Sequence, residues 1–180
     1  LNRIFKKMSV TRTFDILDRY QTLFPEKEDA FAAKVGKEWK KFSTKEYIQQ
    51  SYNVSYGLLA MGFQPGDKIA TISNNRPEWN FVDMGMAMAG IIHVPIFATL
   101  DTEGYRTIFE HANVKLAFVS DKNLAKTIGS LLEVYTFDQV ESCKHWSEIA
   151  SQGKIQESRF KVEVETIKKG IKDEDCVTLI

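Results

Sequence analysis

KIATIS (residues 68–73), NNRPEWNFVDMGMAMAG (74–90) and IIHVPIF (91–97) follow one another almost without interruption, and their reading decides the fold. The first and third are short, apolar and rich in isoleucine and valine, which suits strands. Between them, Pro77 stands where the first turn of a helix tolerates a missing N–H, and Gly90 stands where a helix closes. After Trp79 the middle stretch is apolar on nearly every side, so it predicts a helix packed against several neighbours. Met84 and Met88 share a face at i, i+4 and are expected to be buried. Met86 points elsewhere, and Asn80 and Asp83, one turn apart, mark the wet edge. Buried strands alternating with helices predict an α/β fold, a mostly parallel sheet with flanking helices.

The glycines of the middle stretch do not make a phosphate loop. Gly85 and Gly90 have the right separation, but Ile91 and Ile92 stand where Lys and Ser/Thr are required. The order is also reversed, because a phosphate loop follows a strand and opens a helix. No G-x-G-x-x-G occurs anywhere in the chain.

The same alternation continues on both sides. Downstream, TEGYRTIFEHAN (102–113) and KNLAKTIGSLL (122–132) read as helices, VKLAFVS (114–120) and EVYTFD (133–138) as strands. The parallel sheet is expected to contain residues 69–73, 91–96 and 116–119. Upstream, Phe14, Leu17 and Phe24 fall near helical spacing until Pro25 stops the run. Gly36-Lys37 suits a type II′ hairpin between DAFAAKV (29–35) and EWKKF (38–42). Ser43 and Glu46 form a capping box before a helix whose inner face carries Tyr47, Ser51, Val54, Leu58 and Met61, with Gly62 just past its end. Residues 152–175 are strongly charged and predict a solvated excursion with one short helix. CVTLI (176–180) then reads as a fresh buried strand.

Composition narrows the function classes. The chain has 180 residues, 43% hydrophobic and 27% charged, an ordinary globular balance. Lys plus Arg and Asp plus Glu are 24 each, so the formal charge is zero and nothing draws the whole chain to nucleic acid or an anionic membrane. The longest basic runs are pairs. Cys143 and Cys176 match no metal or redox spacing and read as free buried thiols. LNRIFKK (1–7) is too short and polar for a signal peptide, so the sequon Asn53-Val54-Ser55 is read as chance and the location as cytoplasmic. His93 reads as a satisfied sheet histidine, His111 as a helix-closing one and His145 as part of a polar helix. No Ser-His-Asp, H-E-x-x-H or paired-carboxylate pattern emerges, and no catalytic, cofactor-binding or metal residue is assigned.

The arrangement nevertheless resembles a known family. G-F-Q-P-G-D-K (62–68), N-R-P-E-W (75–79) and AGIIHVPIFATL (89–100) closely resemble motifs of the N-terminal region of adenylate-forming (AMP-binding) enzymes, long-chain fatty acid–CoA ligases in particular. The third usually reads A-G-x-x-x-V-P-[IL]-Y-x-T in that family, and Phe97 here replaces the tyrosine. The resemblance runs from about Thr13 to Ile180. It implies that residues 1–180 are the N-terminal portion of an adenylation domain, and that a Y-T-S-G-T-T-G-x-P-K-G phosphate-binding loop follows CVTLI. It also implies a ligase that converts a fatty acid, ATP and CoA to acyl-CoA, AMP and pyrophosphate through an acyl-adenylate, with Mg²⁺. The catalytic groups would lie outside these residues, leaving the portion itself inactive and without bound cofactor. Its partners would be the remainder of the adenylation domain and the C-terminal domain, with no nucleic acid and at most peripheral membrane contact. For the loop 75–79 a structural role is expected, Arg76 pairing with Glu78 or capping an element and Trp79 anchoring the helix start. A ligase for a medium-chain, aryl or other carboxylate, and a free-standing α/β binding module, remain alternatives at this level.

Overall fold

The computed structural model describes residues 10–180. LNRIFKK lies outside them. Helix α1 (Asp15–Leu23) leads into strands β1 (Phe31–Val35) and β2 (Glu38–Phe42), an antiparallel pair joined by Gly36-Lys37. Gly36 has φ +62° and Lys37 keeps a negative φ, as a turn with glycine first requires. Helix α2 (Thr44–Ala60) starts with the capping box. Ser43 Oγ accepts from the Glu46 N–H, and the Glu46 carboxylate accepts from the Ser43 N–H at 2.7 Å. The helix ends at Met61, with Gly62 following at φ +92°.

Five parallel strands then build the sheet. They are β3 (Lys68–Ile72), β4 (Ile92–Pro95), β5 (Val114–Val119), β6 (Val134–Thr136) and β7 (Lys144–His145), in the order β4-β3-β5-β6-β7. All three strands expected from the sequence are present, and β3 pairs parallel to both β4 and β5. Helices α3 (Pro77–Met88), α4 (Thr102–Ala112) and α5 (Lys122–Ile128) are the crossovers. Strand residues alternate between two apolar layers. Ile69, Leu116 and Phe118 meet α2 and α3, while Ala70, Ile72, Ala117 and Val119 meet α4 and α5. Covering both faces is what makes these strands apolar almost without a break.

Helix α3 is core, as its composition implied. Met84, Met86 and Met88 are all buried, and Gly85 lies against Val54 of α2. Its supposed wet edge is different. Asp83 is only half-exposed because its carboxylate turns inward to His93.

The charged tail is the largest departure from expectation. It forms two packed helices, α6 (Trp146–Ile155) and α7 (Glu157–Gly170), and only the residues after Gly170 are irregular. Gly57 of α2 and Gly153 of α6 bring those helices so close that a Cβ on either would overlap the other's backbone. Phe160, Val164 and Lys168 make a buried stripe on α7, and the Lys168 ammonium donates to the Tyr52 hydroxyl at 2.6 Å. A charged outer face had hidden an i, i+4 inner one.

Four smaller expectations also change. His145 caps α6 rather than lying within a helix, its Nδ1 accepting from the Ser147 N–H and its Nε2 meeting the Phe137 carbonyl at 2.9 Å. Cys143 is half-buried and Cys176 exposed, because one sits in a surface turn and the other in the terminal segment. Met61 turns toward solvent, since α2 ends just there. CVTLI is an edge segment rather than a buried strand. A single parallel bridge, His93 to Thr178, joins it to β4, and Ile180 is fully exposed.

Candidate functional site

In an open parallel sheet, ligands settle beyond the carboxyl ends of the strands, where successive crossovers leave in opposite directions. Here that point lies between β3, whose crossover leads to β4, and β5, whose crossover leads to β6. The two strands end in Ser73-Asn74 and Ser120-Asp121. Ser120 is buried. Its Oγ donates to Ser73 Oγ at 3.1 Å and accepts from the Asn74 N–H at 3.0 Å, fixing the two loop mouths together. Asp121 is taken up by its own helix, accepting from the Asn123 and Leu124 N–H groups at 2.8 and 3.2 Å.

A cleft of about 620 Å³ opens on one side of this junction, walled by the β1–β2 hairpin and residues 74–78. A second cleft of about 300 Å³ lies on the other, lined by Ala98, Leu100, Tyr105 and the start of α5. Residues 75–78 of the motif loop line the larger one. Arg76 donates to Glu78 at 3.3 Å and to Asp138 at 2.9 Å, and its guanidinium lies 5.2 Å from the Phe137 ring centre. It therefore ties the loop after β3 to the loop after β6.

Behind the loop runs a buried polar relay. Trp79 Nε1–H donates to Thr71 Oγ1 at 2.9 Å, Thr71 Oγ1 meets His93 Nε2 at 2.7 Å, and His93 Nδ1 meets Asp83 Oδ1 at 2.7 Å. A neutral imidazole protonated on Nδ1 satisfies every bond in one direction. The order Thr-His-Asp resembles a nucleophile triad, but Thr71 is 1% exposed and His93 2%, so no substrate reaches the hydroxyl. The relay fixes the start of α3 to β3 and β4. His93 is thus a satisfied sheet histidine, and His111 lies in the last turn of α4.

The sequence resemblance implies a nucleotide and Mg²⁺. A phosphate nest needs successive backbone N–H groups turned to one point, commonly through glycine. The glycines with positive φ among the described residues are Gly36 at the hairpin tip, and Gly62, Gly66 and Gly90 before the amino ends of β3 and β4. None borders the carboxyl-edge junction. The larger cleft's charges are Lys34 and Arg76 against Glu78, Asp121 and Asp138, with Arg76 already doubly paired. Among the described residues, no three His, Cys, Asp or Glu side chains come together around a metal position. Among the described residues, the larger cleft offers a triphosphate neither a glycine-built nest nor an excess of positive charge. The sequence pointed to loop 75–79 through its motif. It did not point to Ser73, Ser120 or Asp138, whose only signal was a polar residue directly after an apolar strand.

Comparison with known proteins agrees with the fold. The chain is 31% identical over 106 residues to fatty acyl-CoA synthetase B of Dictyostelium discoideum, covering 58% of this chain and 16% of that protein. It is 28% identical over 100 residues to a long-chain-fatty-acid–CoA ligase of Mus musculus, covering 55% of this chain and 15% of that one. It therefore spans about a sixth of the length of these relatives. Among solved structures, an acyl-CoA synthetase of Brucella canis superposes with a TM-score of 0.63 at 18% identity, over 74% of this chain and 26% of that one. A benzoate CoA ligase of Burkholderia xenovorans superposes with a TM-score of 0.61 at 14% identity, over 78% and 28%. At such identities the structures speak for the fold alone. The family model described as AMP-binding enzyme matches residues 19–180, and the chain belongs to that family.

Proposed function

We propose that residues 1–180 are the N-terminal portion of the adenylation domain of an ATP-dependent long-chain fatty acid–CoA ligase. The parent reaction joins a fatty acid to CoA through an acyl-adenylate, releasing AMP and pyrophosphate, in the cytoplasm. The family match over residues 19–180 carries this reading, and the fatty acyl-CoA synthetases among the relatives support the long acyl chain. Within this portion the residues act as scaffold. The Thr71–His93–Asp83 relay and the Arg76 pairs hold the carboxyl-edge loops, while the nucleotide, Mg²⁺ and CoA chemistry belongs to groups outside these residues.

The test is pyrophosphate exchange with ATP–Mg and palmitate, octanoate or benzoate, run on the 180-residue chain and on the longer natural polypeptide. Expected are background exchange for the chain alone and palmitate-preferring exchange for the longer protein. Exchange by the chain alone would place a nucleotide site within it. A preference for benzoate or octanoate would reassign the substrate, and no exchange with any carboxylate would overturn the ligase reading.

A further inference from the structure

Segment 176–180 is fastened to the sheet through one residue. The His93 N–H donates to the Val177 carbonyl at 3.0 Å, and the Leu179 N–H donates to the His93 carbonyl at 2.9 Å. Among the described residues these are the segment's only backbone hydrogen bonds to the rest of the chain, and the bridge they make is isolated. Packing around its start is incomplete. A cavity of about 300 Å³ opens there, lined by Cys176 and Val177 together with Phe14, Pro65 and Ile91. A segment held this lightly opens locally, at a lower free energy than the sheet it rests on.

The same residue has its ring pinned at both nitrogens. Nε2 meets the Thr71 hydroxyl and Nδ1 meets the Asp83 carboxylate, each at 2.7 Å, and the Trp79 indole lies 5.0 Å from the imidazole, ring centre to ring centre. Strand β4 is four residues long and pairs with β3 alone among the strands. A ring held at two points cannot turn without carrying its own backbone along, so the bonds to Thr71 and Asp83 set the direction of the His93 N–H and carbonyl. At the other end, Trp79 closes the motif loop whose residues 75–78 line the larger cleft. One line of contacts therefore runs from that loop through Trp79, Thr71 and His93 to Val177.

We propose that His93 is a latch that couples the order of segment 176–180 to the position of loop 75–79. With the relay whole, the imidazole is fixed and its backbone holds the segment in register beside β4. With the relay broken, the ring turns, the backbone follows and the segment lifts from the edge. Coupling of this kind is reciprocal. Releasing the segment loosens the Trp79 end, and an occupant of the larger cleft that displaces loop 75–79 changes how firmly the edge is held. His93 is a positioning residue in this device, since its buried ring meets no substrate. The proposal stands apart from the ligase reading.

The experiment is amide hydrogen exchange followed by NMR on the 180-residue chain, read at the His93 and Leu179 amides and, for global stability, at the Ala117 amide within β5. Thr71→Val should speed exchange at the two edge amides by about tenfold or more. A merely global loss would speed Ala117 and leave the edge, which opens locally, as it was; that result would overturn the latch. Asp83→Asn keeps an acceptor for Nδ1–H, so its edge amides should exchange more slowly than those of Asp83→Ala. Equal exchange in the two would overturn it as well. The reverse direction is read at the Trp79 indole N–H. Leu179→Pro removes the donor to the His93 carbonyl at a partly exposed position, so the fold should stay intact by circular dichroism. The Trp79 indole signal should shift or broaden while those of Trp39 and Trp146 hold still. A Trp79 signal that does not move would overturn the coupling.

Discussion

The hydroxyl of Thr71 is shared by two partners, and that sharing fixes the start of α3. Thr71→Val would leave the Trp79 N–H and the His93 Nε2 unpaired in a dry place, so a loss of about 2 kcal/mol is expected in denaturant unfolding. Pairing it with Trp79→Phe should be non-additive, because the second change removes a donor already orphaned. Additive losses would mean that the relay is not one unit. Asp15 gives a second test. Burial pushes its carboxyl up, but hydrogen bonds from the Arg12 guanidinium and from the Arg12 and Thr11 N–H groups outweigh that and hold it below the ordinary carboxylate range. A folded-state pKa lower than the unfolded one, about 3.9, gives stability present above that value and lost as pH falls through the folded one. Asp15→Asn should therefore be less stable near neutrality but lose less on acidification than the wild type. Parallel acid-unfolding curves would remove Asp15 from the account. Arg12 also donates to the Lys168 carbonyl at 2.6 Å, so the pair fastens α1 to the end of α7.

At the scale of elements, stability rests on a close helix approach. Gly57 and Gly153 let α2 and α6 touch backbone to backbone, and a methyl at either must push the helices apart. Gly57→Ala and Gly153→Ala are each expected to destabilise by about 3 kcal/mol, against the slight gain that alanine brings to a free helix. A thermal melt unchanged by both would show that the helices can separate without loss. Helix α3 makes the complementary case, for it is surrounded rather than crossed. Met88 is 0% exposed, and Met88→Asp, which puts a charge where no partner exists, should cost several kcal/mol.

Across the whole molecule, the sheet has an edge at β4 that the segment 176–180 covers in part. The His93 N–H donates to the Val177 carbonyl at 3.0 Å and the Leu179 N–H to the His93 carbonyl at 2.9 Å. Removing residues 176–180 should leave helix content by circular dichroism near its starting value, because they contribute no helical residue, while freeing an edge that pairs with other copies. Light scattering should rise with concentration for the shortened chain more than for the intact one. Equal scattering would mean that the edge is protected by other means.

What the sequence determined by itself was local. Pro77 at a helix start, Gly62 and Gly90 past helix ends, the Ser43–Glu46 box and the apolar runs of β3, β4 and β5 each act within a few residues, so elements and parallel class were legible. The motifs at residues 62–68, 75–79 and 89–100 made the family legible too, since they are strings of neighbours. What only the tertiary structure decided depended on residues far apart in the chain. Arg76 meets Asp138, Asp83 turns to His93, Gly57 meets Gly153, and Ser73 meets Ser120. The tail misled for the same reason. Lysines and glutamates on the outer face of α7 dominate its composition, and only packing reveals Phe160 and Val164 beneath them.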